Sequence, residues 1–317
     1  MSLRIVKPGL LTSVQDLGRH GHAALGVGHA GAIDMPALVI ANALVGNVPS
    51  APILEMNLVG PVLEFERAVR IALCGAEVDA RLDGECLDGW RGIDVVAGQV
   101  LDCRRFARGA RACLAVRGGF AVTRVLGSAS ADLNAGLGPP ALAVGDVLAF
   151  GDASRASTMP PRGVPFSVDP RPWFDVDTRR PLRLVRGHHF DALDVDSRAA
   201  LFGATFHIGR DSNRVGLRLE GVPLRLAHPL ELVSEAVADG TLQLPPGGQP
   251  IMLLAERPTT GGYPRIGQLA AADFTRLAQR RPGDEVRFVE AGLDEAIDAA
   301  RRQRLRLERL LTAIRER

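Results

Sequence analysis

Lysine is almost absent from this chain. Lys7 is the one lysine in 317 residues, so 37 of the 38 Lys and Arg side chains are arginine. A GxxxxGK[ST] phosphate loop is thereby excluded, because that loop sets its lysine on the phosphates, and a lysine Schiff base has no support. Aromatic residues make up only 4%, which leaves no stacking platform for nucleic acid, and a formal net charge of +2 offers no basic surface for one. The four cysteines (Cys74, Cys86, Cys103, Cys113) show neither CxxC spacing nor a nearby histidine. Reduced cysteines in strands are the simpler reading than zinc or a redox pair. No apolar run reaches the ~18–20 residues of a membrane span. Met1–Leu10 lacks the apolar core of a signal peptide, so the expected location is the cytoplasm, with no membrane as partner.

What is present is 46% hydrophobic and 23% charged, a globular balance, and the length suits two domains with their own cores. Short strand-like runs dominate, among them VRIALCGA, ARACLAVRGG, LRLVRG and QPIMLLAE. Helix signals are few: Met35–Val45, Asp191–Leu201, Ala271–Gln279 and Leu293–Arg315. The last carries Leu293, Ile297, Ala300, Leu307, Leu311 and Ile314 on one stripe. Residues 151–181 hold six prolines (160, 161, 165, 170, 172, 181). Such a stretch cannot run inside a sheet and reads as a linker. The expected architecture is mainly β, with barrel-like domains at 1–150 and 182–290 and a C-terminal helix at 291–317. An α/β sheet would need a helix between most strands, and these are missing.

GDVLAF (145–150) and GDEVRF (283–288) echo each other, with GQVLDC (98–103) a looser copy. Gly-Asp before alternating apolar residues is a tight turn feeding a strand. Three independent hairpins and a duplicated barrel both remain open.

Chemistry-bearing residues cluster in two patches. In Ser13–Asn47, Asp34 directly precedes Met35-Pro36, and proline is tolerated in a helix only in its first turn. Asp34 is therefore an N-cap for the following helix, with Gly46-Asn47 as its stop. It is either a cap and nothing more, or part of an anion-favouring helix start lined by Arg19, His20, His22 and His29. Arginine offers a planar bidentate donor, which makes Arg19 the candidate clamp for a carbonyl or carboxylate. The loop histidines lack a clear second shell, so no metal is expected. The second patch, Ser234–Leu269, contains Glu256 at the end of an apolar run, then Thr259-Thr260-Gly261-Gly262-Tyr263, with the chain's one tyrosine. Two such patches suggest the walls of one cleft.

With TSVQDLGRHGH, GHAGAIDMPALVIANALVGN, ILE (53–55), LAVRGGF, VLGSASADL, DSNRVGLRLEG and the block from Ser234 to Gly267, the chain resembles the family of the 5-oxoprolinase C subunit. That family is also described as KipA-like, allophanate hydrolase subunit 2 or biotin-dependent carboxyltransferase-like. The resemblance implies two cyclophilin-like β-barrel domains and a KipI-like partner of the allophanate hydrolase subunit 1 type. For 5-oxoprolinase it also implies a LamB/YcsF-like subunit. The implied reaction is ATP-dependent hydrolysis of 5-oxo-L-proline to L-glutamate, with ATP a requirement of the complex and the chain inactive alone. Asp34 and Arg19 are the catalytic candidates; His20, His29, Glu256, Thr260 and Tyr263 are the substrate-binding candidates. Two other activities fit the resemblance: a carboxyltransferase acting on urea or a related amide with carboxybiotin from another subunit, and a module that regulates a histidine kinase together with a KipI-like partner. Biotin is not attached here, since Lys7 lies in VKPG and not in a carrier's Met-Lys-Met hairpin. The chain departs from the family at Ala255-Glu256-Arg257-Pro258, more usually Ala-Asp-Arg-Gln, and at His188-His189, where Pro-Gln is commoner.

Overall fold

The computed structural model describes residues 2–152 and 166–316. The chain divides into two compact units. Unit 1 comprises Met1–Arg19, Ala30–Asp175 and Leu307–Arg317; unit 2 comprises His20–His29 and Val176–Arg306.

Unit 1 is built on strands β1 (Ser2–Lys7), β2 (Leu11–Gln15), β3 (Ile53–Asn57), β4 (Val62–Phe65), β5 (Val69–Leu82), β6 (Glu85–Cys86), β7 (Gly92–Val95), β8 (Val100–Val116) and β9 (Val147–Ala149). They pair antiparallel in the order β2-β3-β8-β4-β1-β9, while β5 joins β8 to β7 and β6. The two long strands β5 and β8 stay paired from Ile71–Val116 to Leu82–Leu101, through three register shifts between Gly75 and Ala80. Such irregularities bend a strand and increase its twist, which curls the sheet. Helix α1 (Met35–Leu44) is buried on nearly every side, as its Ala, Leu, Val and Ile content dictates. Its end is tied to β8: Asn47 donates to Asn42 Oδ1 (2.9 Å) and to the Val116 carbonyl (2.8 Å), and accepts from the Gly118 N–H (2.8 Å).

Unit 2 contains β10 (Leu182–Arg186), α2 (Val195–Gly203), β11 (Phe206–Ile208), β12 (Gly216–Glu220), β13 (Glu235–Ala236), β14 (Thr241–Gln243), β15 (Ile251–Leu253), β16 (Thr260–Gly261), β17 (Arg265–Leu269), α3 (Phe274–Ala278), β18 (Glu285–Val286), β19 (Phe288–Glu290) and the first part of α4 (Leu293–Arg315), whose residues from Leu307 onward belong to unit 1. Its main sheet runs β18-β11-β12-β15-β14-β17-β10-β19, and β13 pairs with β16 apart from it. All pairs in this unit are antiparallel except β10 with β19. The mainly β, barrel-like reading with a C-terminal helix therefore holds, and α4 spans the residues its stripe predicts.

Two helices differ from expectation. Over 191–201 the chain makes a 3-10 turn at Phe190–Ala192, then an extended Leu193. Only after this does α2 begin, because Asp194 caps it by accepting from the Ser197 N–H at 2.7 Å. Over 271–279 a 3-10 turn precedes the five-residue α3. Part of the proline-rich segment, 153–165, lies outside the described residues. Beyond it Val168, Trp173 and Phe174 are buried, and the Val168 N–H donates to the Trp90 carbonyl at 2.8 Å.

The three echoing turns share one hydrogen-bond pattern. The glycine N–H of Gly98, Gly145 and Gly283 donates to the carbonyl of Phe65, Ile5 and Ile208 respectively, at 2.7, 2.8 and 2.7 Å. Each of those three buried residues donates its own N–H back to the carbonyl of Gln99, Asp146 or Asp284. The Gln99, Asp146 and Asp284 side chains in turn accept from the N–H three residues earlier. Two copies lie in unit 1 and one in unit 2. The echo is thus one structural device used three times, and it needs glycine for its backbone: φ is +86°, +87° and +89°. No heavy atom lies within 4 Å of a Cβ built at any of the three. Gly283→Ala is accordingly expected to cost only the left-handed strain, about 1 kcal/mol. The readout is a lower urea midpoint at unchanged slope, and an unshifted midpoint would rule this account out.

Candidate functional site

In unit 1 the strand β2 delivers Asp16, which organises the loop around it. Its Oδ1 accepts from Gly18 N–H (2.8 Å), Ser128 Oγ (2.6 Å) and Ser130 Oγ (2.7 Å), and its Oδ2 accepts from Ala129 N–H (2.8 Å) and Arg124 (3.1 Å). Burial pushes this carboxyl up, but the hydrogen bonds from Ser128, Ala129, Ser130 and Gly18 outweigh it and hold it below its ordinary value. Two sequence blocks, SVQDLGR and GSASADL, are thereby locked together. The lock also sets Arg19, whose Nη2 donates to the Ser130 carbonyl. Arg19 is only 1% exposed, and its Nε and Nη1 have no hydrogen-bond partner.

Asp34 is the N-cap of α1, accepting from the Ala37 N–H at 3.2 Å, and is buried. The residue before it is pinned, since the Ile33 N–H donates to Glu55 Oε2 at 2.7 Å. Ser13, Glu55, Cys113 and Cys74 stand opposite one another across β2, β3, β8 and β5, forming one buried polar row. Burial, and after it the negative charge of Asp34, pushes the Cys74 thiol well up. Asp34 therefore sits near one end of that row, and Cys74 remains a protonated thiol.

In unit 2 His20 and His29 stack, with ring centroids 5.4 Å apart. His29 Nε2 lies 2.5 Å from Asp239 Oδ2, and Asp239 Oδ1 accepts from Arg257 Nε at 2.8 Å. The Asp239 carbonyl accepts from Gln268 Nε2 at 2.7 Å. Asp239 is thus held on both sides and orients His29. Glu256 is paired with Arg214 at 2.5 Å, each side chain 4% exposed. Thr260 is exposed in the β13–β16 ribbon, and Tyr263 is 46% exposed. Among the described residues, no three His, Cys, Asp or Glu side chains gather as a metal-binding group. No helix among them is long and apolar enough to cross a membrane.

A cavity of about 370 Å³ also opens in unit 2, lined by Arg186, His188, Thr241, Arg265, Gln268 and residues 236–238. His189 Nδ1 accepts from the Arg265 N–H at 3.1 Å. Burial first, then the neighbouring His188 and the Arg265 charge, push the His189 imidazole below its ordinary value.

Of the seven candidates named from sequence, the structure brings His20 and His29 into one cluster, with Asp239 and Arg257 added. Arg19 and Asp34 fall in unit 1, the other five in unit 2. Glu55 carries a sequence signal in being a charged residue inside Ile53-Leu54-Glu55-Met56, all four buried. Asp239 carries none, because Asp239-Gly240 reads as an ordinary turn.

The signature of the carboxyltransferase domain, subdomain A and B, matches residues 25–290. The chain is 40% identical to the 5-oxoprolinase C subunit of Escherichia coli over 312 residues, covering 97% of each. It is 28% identical to urea amidolyase of Saccharomyces cerevisiae, covering 91% of this chain and 16% of that one. The crystal structure of Kluyveromyces lactis urea amidolyase superposes with a TM-score of 0.88 at 26% identity, over 97% of this chain and 20% of that one.

Proposed function

Because the chain belongs to the carboxyltransferase-domain family, subdomain A and B, we propose that it is one subunit of an ATP-dependent 5-oxoprolinase. In this reading it works in the cytoplasm with KipI-like and LamB/YcsF-like subunits, hydrolysing 5-oxo-L-proline to L-glutamate. Support comes from the 40% identity to a protein of that name. The structural observation that carries the reading is Arg19, a buried guanidinium with two unpartnered nitrogens. A buried charge with unmet donors is costly, and a carboxylate or developing oxyanion is the chemistry that relieves it. The substrate offers both, a carboxylate and a resonance-stabilised lactam carbonyl.

The remaining roles follow from what each side chain touches. Asp34 is the base or orienting carboxylate at the start of α1, where N–H groups favour negative charge. Within unit 2, His29, oriented by Asp239, and the stacked His20 form a polar cluster of their own. Thr260 and Tyr263 are exposed on unit 2. Glu256 acts at one remove, by holding Arg214. ATP enters at the level of the complex, because no phosphate loop exists in this chain.

Coexpression with the two partner types tests the reading, with ATP hydrolysis dependent on 5-oxo-L-proline as the readout. The isolated chain is expected to show none, and an assembled complex without turnover would overturn the proposal. Within that complex, Asp34→Asn is expected to abolish activity while the melting temperature stays close to wild type. Asparagine still caps a helix, so only the charge is lost. Full activity would leave Asp34 a cap alone. The likeness to urea amidolyase, at a TM-score of 0.88, favours a second reading, a carboxyltransferase acting on urea. Turnover of urea with carboxybiotin in the same assembly would select it.

A further inference from the structure

The cavity in unit 2 lined by Arg186, His188 and Arg265 is not used by the roles assigned above. Its wall carries two guanidinium groups and an imidazole, and no aspartate or glutamate lines it. The carboxylates that pair with those arginines are absent from the lining. Glu290 lies 2.7 Å from Arg186 Nε, and Glu235 accepts from Arg265 Nη2. Both guanidiniums are therefore fixed in place. Arg186 is further held by stacking over the Phe190 ring, 4.6 Å from its centroid, and Arg265 by donating to the Ala236 carbonyl at 3.2 Å.

One donor is left over. Arg265 Nε is buried and has no hydrogen-bond partner. The neutral groups of the wall are already matched to each other: Thr241 donates to Gln268 Oε1 at 3.0 Å, and Gln268 donates to the Asp239 carbonyl. What the cavity offers a ligand is two oriented guanidinium groups whose balancing carboxylates lie outside its lining. Gly187 lets the backbone here pass close to β17, since a Cβ on it would come within 2.3 Å of the Arg265 carbonyl oxygen. The cavity, about 370 Å³, suits a small molecule.

We propose that this cavity is a binding site for a compact oxyanion, a carboxylate or a phosphate, held between Arg186 and Arg265 with His188 at its rim. His188 stands at one of the two places where the chain departs from its resembling family, so the imidazole at this rim is a feature of this chain. The site is separable from the reaction proposed above, because binding is read on the isolated full-length chain.

The probes are inorganic phosphate, 5-oxo-L-proline and 2-pyrrolidinone, the last being the same lactam ring without the carboxylate. Amide resonances of Gly187 and Gly267 are followed in ¹H–¹⁵N spectra during each titration. The expected result is saturable movement of both with at least one of the two anions and none with 2-pyrrolidinone. Saturation by phosphate alone assigns a phosphate ligand; saturation by 5-oxo-L-proline alone assigns a carboxylate. Arg265→Gln should weaken the binding about tenfold or more. The exposed Arg186→Gln should do the same, which keeps the test decisive if the first variant folds poorly. Arg171→Gln, an exposed arginine of unit 1 outside the cavity, should leave it unchanged. No saturable movement with either anion, equal response to 2-pyrrolidinone, or wild-type binding by folded Arg186→Gln would each overturn the proposal.

Discussion

Glu256→Ala is expected to lower the unfolding free energy of this protein by about 3–5 kcal/mol. Glu256 and Arg214 form an ion pair at 2.5 Å with both side chains 4% exposed. Their backbones meet as well, the Glu256 N–H donating to the Arg214 carbonyl at 3.0 Å. Removing the carboxylate takes the close ion-pair partner from a guanidinium that water barely reaches, and the loss exceeds what the pair itself contributes. The double variant Arg214→Met/Glu256→Leu separates those two quantities, because it leaves no orphan charge. It should recover most of the loss. Glu256→Asp, which installs the residue commoner in the resembling family, shortens the reach by one methylene and should fall between. Urea unfolding followed by circular dichroism measures all three. A Glu256→Ala chain within about 1 kcal/mol of wild type would mean that solvent screens this pair as it does a surface one.

This pair also marks the boundary of what the sequence reveals. The helix α4 is legible because its stripe is local, and the turns at Gly98, Gly145 and Gly283 are legible because glycine is required by their own φ angles. Arg19 and Asp34 stand out for the same reason, each beside a turn or a helix start. The sequence pattern makes Glu256 a wall residue facing substrate, whereas its carboxylate is committed to Arg214, 42 residues away in sequence. Asp239 and His29 are 210 residues apart, and nothing in Ala238-Asp239-Gly240 announces a partner for a histidine. Asp16 has no local signal of its role, though donors from Gly18, Arg124, Ser128, Ala129 and Ser130 converge on it. Local backbone demands leave marks in local sequence; side-chain pairs closed by the sheet do not. The helix start at Asp194 shows the same rule from the other direction. The apolar pattern from Asp191 onward is real, but an Asp194 side chain able to accept from Ser197 moves the helix start to Val195.

Arg19→Met is expected to separate stability from function, with activity of the assembled enzyme falling about 10²–10³-fold in kcat/KM. In the free chain Arg19 leaves Nε and Nη1 without a hydrogen-bond partner while 1% exposed. Folding therefore carries the cost of a poorly compensated charge, and methionine of similar length removes that cost. The melting temperature of Arg19→Met should equal or exceed that of wild type, although its hydrogen bond to the Ser130 carbonyl is lost. Arg19→Lys retains charge but not the planar fork of donors, so it should stay impaired. The opposite pattern is diagnostic. If Arg19→Met melts lower and loses activity only in proportion to the folded fraction, Arg19 is a structural tie to Ser130. If its kcat/KM stays within a few-fold of wild type, the two unmet donors face no substrate, and the anion chemistry proposed for the start of α1 fails with them.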